Sequence, residues 1–305
     1  MPPISGRFFS PHVRNYARHR RDVRPNFVKI MKPKEYTSFN KLQKYIVLNL
    51  IDEFEEELIQ MSGKCMDIGC GPGDITKNVL LPALNPNTVI TGTDISKNMI
   101  EFAKKTYGDG RLQFEVLDIQ TKCLPEKYIS RFDHIFSFNA LNWCYDIRRA
   151  FENIYRMIRP GGNILINLIT SHDTYDVINI LAQDIRFAPY IQDVKNYVSP
   201  FNDSNCPRKE LKEILKSIGF KVCHCSLREI TYSFKDPSNV ILGSIFSIYP
   251  FVDKMPHDLQ EEFKNEYTRK FVEKKVTYKT IQNNQEQILM LDLYKLLIVY
   301  AQKDI

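Results

Sequence analysis

The sequence predicts an α/β fold built on a parallel sheet with crossover helices, and three observations carry that expectation. Short apolar runs suited to buried strands alternate with helical patterns from Lys64 onward. The first run leads into a glycine-rich loop, Met66-Asp67-Ile68-Gly69-Cys70-Gly71-Pro72-Gly73-Asp74, which a helical pattern follows. Two later runs end on carboxylates, Asp94 and Asp118, at the strand ends where α/β sheets bind ligands.

The elements follow in order. Lys64–Ile68 is the first strand, and residues 75–84 form a helix with Asp74 and Thr76 as its start signals. Residues 88–94 make the second strand, before a helix that opens on Ser96 as N-cap and runs through Met99, Ile100 and Ala103. Residues 112–118 and Phe132–Phe138 are the third and fourth strands. A helix over 147–158 stops at Arg159-Pro160-Gly161-Gly162, a combined stop and turn signal, and 163–170 is the fifth strand. Residues 209–218 have helical spacing, Gly219 ends that helix, and 221–231 continue as a strand. From Pro237 to about Met290 no strand is evident, and Phe246, Tyr249, Phe251, Phe263, Tyr267 and Phe271 lie among helical patterns. Residues 294–302 close the chain as a final strand.

Composition narrows the class. With 305 residues, 43% hydrophobic and 12% aromatic, the chain suits one large globular domain, and no apolar run reaches the length that spans a bilayer. Seven scattered cysteines without a secretory segment point to reduced thiols and a cytoplasmic protein. The triplet Cys223-His224-Cys225 lies in an alternating run and lacks the spacing of metal pairs, so no metal site is expected. Residues 1–34 hold nine Lys or Arg against Asp22 alone, whereas residues 35–305 are close to neutral. The basic charge is therefore no argument for a nucleic-acid substrate. That basic extension reads as a solvated tail, with a mitochondrial transit segment second and an RNA- or membrane-touching arm third.

The glycine loop defines a ligand. Dinucleotide folds use G-x-G-x-x-G to bring a helix N-terminus against a pyrophosphate. Here the pattern is G-x-G-x-G, and Pro72 removes a backbone donor that a phosphate cradle would use. A ligand without phosphates fits better, and S-adenosyl-L-methionine is the candidate; the competing reading is a tight structural turn. Asp94, roughly 20 residues after the loop, stands where a carboxylate accepts both ribose hydroxyl protons. Asp118 can accept the adenine amino group while Ile95 and Ile119 pack on the ring. For either Asp alone, a helix cap or turn role competes.

These motifs resemble the class I S-adenosylmethionine-dependent methyltransferases and, within them, the arthropod juvenile hormone acid O-methyltransferases. The resemblance rests on Asp67-Ile68-Gly69-Cys70-Gly71-x-Gly73, Asp94-Ile95-Ser96, Val116-Leu117-Asp118-Ile119, and Phe132–Phe138 leading to Leu141-Asn142-Trp143. More particular are Ser199-Pro200-Phe201, and Tyr249-Pro250-Phe251 before a helix rich in Glu and Phe. It covers roughly residues 35 to 303. The resemblance implies a Rossmann-like, seven-stranded, mostly parallel sheet with a reversed last strand. It also implies helical acceptor-lid additions around 172–215 and 237–290, and methyl esterification of a sesquiterpenoid acid in juvenile hormone biosynthesis. The implied cofactor set is Asp67, Gly69, Cys70, Gly71, Gly73, Asp94, Ile95, Met99, Asp118, Ile119 and Ser137. The family's Tyr, Asn and Gln at helical intervals match Tyr36, Asn40 and Gln43. Its Gln and its Trp after the fourth strand hold the substrate carboxylate, and they match Gln43 and Trp143. An amide and an indole N–H are neutral donors that orient an anion without over-stabilising it.

The chain departs from the family at Asn142, where a His is common, and a family His after the fifth strand aligns only loosely with His172. A carboxylic acid of pKa about 4–5 is already ionised at neutral pH, so no general base is required. Three other readings compete. A polar carboxylate such as an aconitate would call for basic clamps, with Arg186, Arg208 and Arg228 available. An RNA or protein methyltransferase would carry an Asn-Pro-Pro-Tyr-like signature after the fourth strand, which is absent. A non-catalytic sesquiterpenoid carrier need not bind the cofactor at all.

Overall fold

In the computed structural model, which describes residues 33–235, 249, 251–282 and 285–305, the strands are β1 (Lys64–Ile68), β2 (Val89–Asp94), β3 (Leu112–Val116), β4 (Phe132–Phe138), β5 (Ile158–His172), β6 (Phe220–Phe234), β7 (Val276–Gln282) and β8 (Gln285–Lys303). They form one sheet in the order β3-β2-β1-β4-β5-β8-β6, with β7 paired to β8. β1 to β5 run parallel to one another, and β8 runs antiparallel to both β5 and β6. The reversed last strand is therefore present, inserted between β5 and β6. The expectations for the basic segment through residue 32 and for Phe246 lie outside the described residues.

Helices cover both faces because the central strands are apolar on both. The helices are α1 (Pro33–Phe39), α2 (Lys41–Glu53), α3 (Glu55–Gln60), α4 (Leu81–Ala83), α5 (Lys97–Tyr107), α6 (Ile147–Met157), α7 (Asp173–Leu181), α8 (Pro207–Ile218) and α9 (His257–Glu273). On one face Met66, Ile68, Ile135 and Ile164 pack against Phe151, Ile154 and Met157 of α6 and Leu211 and Leu215 of α8. On the other, Cys65, Phe136 and Leu165 meet Val47 and Leu50 of α2 and Ile100 and Ala103 of α5. The apolar positions of α6, Ala150, Phe151, Ile154 and Met157, fall on one stripe. Each large side chain buried there contributes about 1.5–3 kcal/mol. Asp146 caps that helix by accepting the Arg149 amide at 3.0 Å.

Four expectations change. The region up to Met290 contains β7 and the start of β8, so the sheet gains an eighth strand as an antiparallel hairpin. β5 begins at Ile158 and runs through Arg159-Pro160-Gly161-Gly162, with Gly161 at φ 78° and a register shift against β4. Glycine absorbs that irregularity inside the strand instead of ending it. Asp74 and Thr76 are not helix caps, because their side chains are spent on tertiary bonds, and Thr76–Leu80 is a π-helical turn leading into α4. Tyr36, Asn40 and Gln43 do not share one helix, since the chain breaks at Asn40 between α1 and α2.

Candidate functional site

The glycine loop begins where β1 ends. The amides of Gly69 and Cys70 donate to the Thr93 carbonyl at 2.7 and 2.9 Å, which ties the loop to the end of β2. Gly69, Gly71 and Gly73 have φ of 73°, 57° and 85°, a left-handed region that only glycine enters without strain. Their surroundings differ. A Cβ on Gly69 would lie 2.1 Å from Ala140 Cβ and one on Gly73 2.7 Å from Phe114 Cζ, whereas one on Gly71 would meet only Tyr36 Cε1 at 3.9 Å. Gly69 and Gly73 are small for packing; Gly71 leaves bare backbone on an open side.

Beside Gly71 stands Asp94. Its Oδ2 accepts the Gly71 amide at 3.0 Å and its Oδ1 the Ser96 amide at 2.7 Å, so each oxygen is aimed and keeps lone-pair capacity. Burial pushes the Asp94 carboxyl above its ordinary range, with the two amides opposing. The Leu117 amide donates to the Asp94 carbonyl at 3.0 Å and brings the end of β3 alongside. Asp118 follows, half-buried, its Oδ1 accepting the Gln120 amide at 2.9 Å. Ile119 is buried, Ile95 half-buried, and Met99 buried in the first turn of α5.

Two of the expected cofactor residues are engaged internally. Asp67 accepts from Thr76 Oγ1 at 2.6 Å, and burial raises its carboxyl to about 7 despite that bond. The Ser137 hydroxyl donates to the Ile68 carbonyl at 2.9 Å, holding β4 to the end of β1.

Over the loop lie α1 and α2. Asn40 Nδ2 donates to both oxygens of buried Asp74 at 3.2 and 3.0 Å, and Lys44 Nζ meets Asp74 at 2.7 Å. Asp74 is thus the post that fastens the N-terminal helices to the loop, a role its place in sequence gave no sign of. Between these two residues, Gln43 carries a buried Oε1 without a hydrogen-bond partner among the described residues. Burial, with Asp74 and Asp94 nearby, raises the Tyr36 hydroxyl well above its ordinary value.

Trp143 ends a 3₁₀ turn after β4 and is half-buried against an aromatic cluster containing Phe187, Tyr249, Phe251, Phe263 and Phe271. Its ring stands edge-on to Tyr175 at 6.3 Å. With the buried Asn142 amide oriented as its neighbours require, its nitrogen donates to the Asn139 carbonyl and its oxygen accepts from Trp143 Nε1, both at 3.0 Å. Burial raises the Tyr175 hydroxyl well above its ordinary value, and the Asn142 amide beside it opposes that rise. The residue standing where the family commonly has His therefore sets the orientation of the tryptophan. His172 ends β5 and faces Asp292, with Nε2 3.0 Å from each carboxylate oxygen. Cys223, His224 and Cys225 lie within β6.

A glycine turn at the end of the first parallel strand and a carboxylate at the end of the second are parts of a methyltransferase domain, and residues 66–164 match the family of that description. The chain belongs to the class I S-adenosylmethionine-dependent methyltransferases. It is 31% identical over 273 residues to the juvenile hormone acid O-methyltransferase of Drosophila melanogaster, covering 88% of this chain and 91% of that protein. It is 30% identical over 272 residues to the enzyme of the same name from Bombyx mori, covering 88% and 96%. In fold it is similar to the Haemonchus contortus phosphoethanolamine N-methyltransferase 2, solved with phosphomonomethylethanolamine and S-adenosylhomocysteine, at a TM-score of 0.51 and 17% identity. That similarity covers 92% of this chain and 61% of the other. Among the described residues no helix is long and apolar enough to cross a membrane.

Proposed function

We propose that this chain is a carboxyl O-methyltransferase that uses S-adenosylmethionine to esterify a small apolar acid of the sesquiterpenoid kind, such as farnesoic or juvenile hormone acid. Two observations support the cofactor: the bare backbone at Gly71 and the spare acceptor capacity of an Asp94 carboxylate already aimed by two amides. In this reading Asp94 holds the ribose hydroxyls, Asp118 the adenine amino group, and Ile95, Met99 and Ile119 the ring. Asp67, Cys70 and Ser137, beside the loop or inside it, shape that site. The cofactor supplies an electrophilic methyl on a sulfonium.

The observation that carries the acceptor assignment is the uncharged aromatic wall. Trp143, with Tyr175 edge-on to it, backs onto the cluster formed by residues from α7, α9 and the segments between them, which suits an isoprenoid chain and excludes water. Gln43, with its unpaired buried amide oxygen, and Trp143 orient the carboxylate; the similarity to enzymes named for juvenile hormone acid supports that pairing. The chain around 172–215 and 237–290, apart from the β7–β8 hairpin, then acts as the acceptor lid. The arginines that a polar polycarboxylate would need are engaged elsewhere. Arg186 pairs with Asp184 at 2.6 Å and with Glu262, Arg208 Nε donates to the Cys225 carbonyl at 2.7 Å, and Arg228 pairs with Glu53 at 2.6 Å. Once the carboxylate is held at near-attack distance, about 3–3.5 Å, transfer neutralises both charges, and a pocket of low polarity favours that step.

Incubation with isotopically labelled S-adenosylmethionine and either acid is expected to give the labelled methyl ester. No transfer to either acid, beside turnover of an unrelated amine or hydroxyl, would remove the acceptor assignment.

A further inference from the structure

Lys275 lies at the junction of α9 and β7 with its side chain only 1% exposed, and the Asp292 carboxylate of β8 is fully buried. Charges taken this far from water persist only among close partners. Lys275 Nζ meets Asp173 of α7 at 2.5 Å, bonds Asp292, and sits 4.0 Å from the centre of the Phe271 ring. Asp292 in turn holds His172 Nε2, while His172 Nδ1 lies 2.7 Å from Thr174 Oγ1 and its ring stacks on Tyr294 at 4.0 Å and 7°. Burial alone would raise the Asp292 carboxyl, but His172 and Lys275 outweigh it and hold it at about 2. The preceding residue repeats the connection, since Lys274 pairs with Asp176 at 2.9 Å. The end of α9 is thereby fixed to the first turn of α7 and to β8 at one point.

Tyr175 sits in that same turn. It is edge-on to His172 at 6.5 Å and to Trp143 at 6.3 Å. Apolar packing alone tolerates several poses of one layer on another, whereas an ammonium shared between two carboxylates on different elements admits one. We propose that Lys275 is a positioning residue for the acceptor site: by joining α7, α9 and β8 it fixes Tyr175 through His172 and so sets the wall that Trp143 presents. Its kinetic consequence rests on the carboxyl methyltransferase reading; its structural consequence does not.

Trp143 is the chain's single tryptophan, so its fluorescence reads the wall directly. In the full-length protein Lys275→Met is expected to raise acrylamide quenching of Trp143 about twofold and the apparent KM for farnesoic acid about tenfold, the scale that losing about two methylene groups' worth of buried contact to a bound apolar chain produces. The calorimetric affinity for S-adenosylmethionine and kcat should change far less. Should Lys275→Met not fold, Lys275→Met with Asp292→Asn leaves no uncompensated buried charge, and Asp173→Asn removes one partner at a part-exposed site; both carry the same readouts. A folded variant with wild-type quenching and wild-type KM overturns the proposal, as does an equal loss of cofactor affinity. If the wild-type protein methylates neither acid, quenching alone decides for or against Lys275, and the acceptor reading is what falls.

Discussion

Replacing Asp94 with alanine removes the acceptor that takes the Gly71 and Ser96 amides, and its effects on fold and on binding separate. A hydrogen bond to a charged group contributes about 1.5–3 kcal/mol. In the folded protein part of the loss is offset, because Gly71 is part-exposed, although Ser96 is buried, and because burial already disfavours the charged carboxylate. A stability loss of about 1–2 kcal/mol is therefore expected from urea unfolding. Cofactor binding loses more. Two ribose hydroxyls without their charged acceptor cost about 3 kcal/mol after allowing for non-additivity, on the order of a hundredfold in affinity. Calorimetric titration with S-adenosylmethionine and S-adenosylhomocysteine measures it directly. Asp94→Asn keeps one oxygen for an amide but turns its NH2 toward the other, a donor against a donor, so it should lose about as much stability as Asp94→Ala and bind about tenfold more weakly. If Asp94→Ala binds within about threefold of wild type, the carboxylate does not hold the ribose.

Gln43→Ala should lower ester formation about tenfold or more while sparing cofactor affinity; a fall in cofactor affinity instead would mean that α2 covers the cofactor and not the acceptor. Gly69→Ala combines a left-handed backbone, about 1–2 kcal/mol, with overpacking against Ala140, about 1–3 kcal/mol. Denaturant unfolding should thus show a loss of about 2–5 kcal/mol, and a loss under about 1 would refute the packing role. Asp67 titrates near 7 in the fold against 3.8 for the ordinary group, so the folded protein binds the extra proton between those values. Its contribution to stability is complete below pH about 4 and is lost as pH rises through about 7. Unfolding midpoints from pH 4 to 8 should fall less steeply in Asp67→Asn, and parallel curves would show that burial leaves Asp67 untouched.

What could be read from the sequence follows from how local each cause is. The central strands are largely buried on both faces, so 64–68 and 132–138 appear as short, mainly apolar runs without knowledge of partners. Ser96 caps α5 by accepting the Met99 amide at 3.4 Å, and Gly219 ends α8 at φ 117°, because caps and left-handed turns are decided within a few residues. The glycine loop was legible for the same reason. β7 escaped because it is exposed along most of its length and shows no apolar alternation, although Val276, Thr277, Tyr278, Thr280 and Ile281 are strand formers followed by Asn283-Asn284, a hairpin signal. Asp74 and Thr76 misled because a carboxylate and a hydroxyl at a helix start can cap it or reach elsewhere. Here Lys44, Asn40 and Asp67 compete for them and win. The contacts behind the acceptor wall have no local signature at all. His172 meets Asp292 across 120 residues and Lys275 meets Asp173 across 102, and each looks like an ordinary surface charge until the sheet brings β5 beside β8. The donor half of the site is set by turns that a short peptide already encodes. The acceptor half is set by charges that acquire partners only once the sheet is complete, and substitutions such as Lys275→Met therefore test something that no motif search would have chosen.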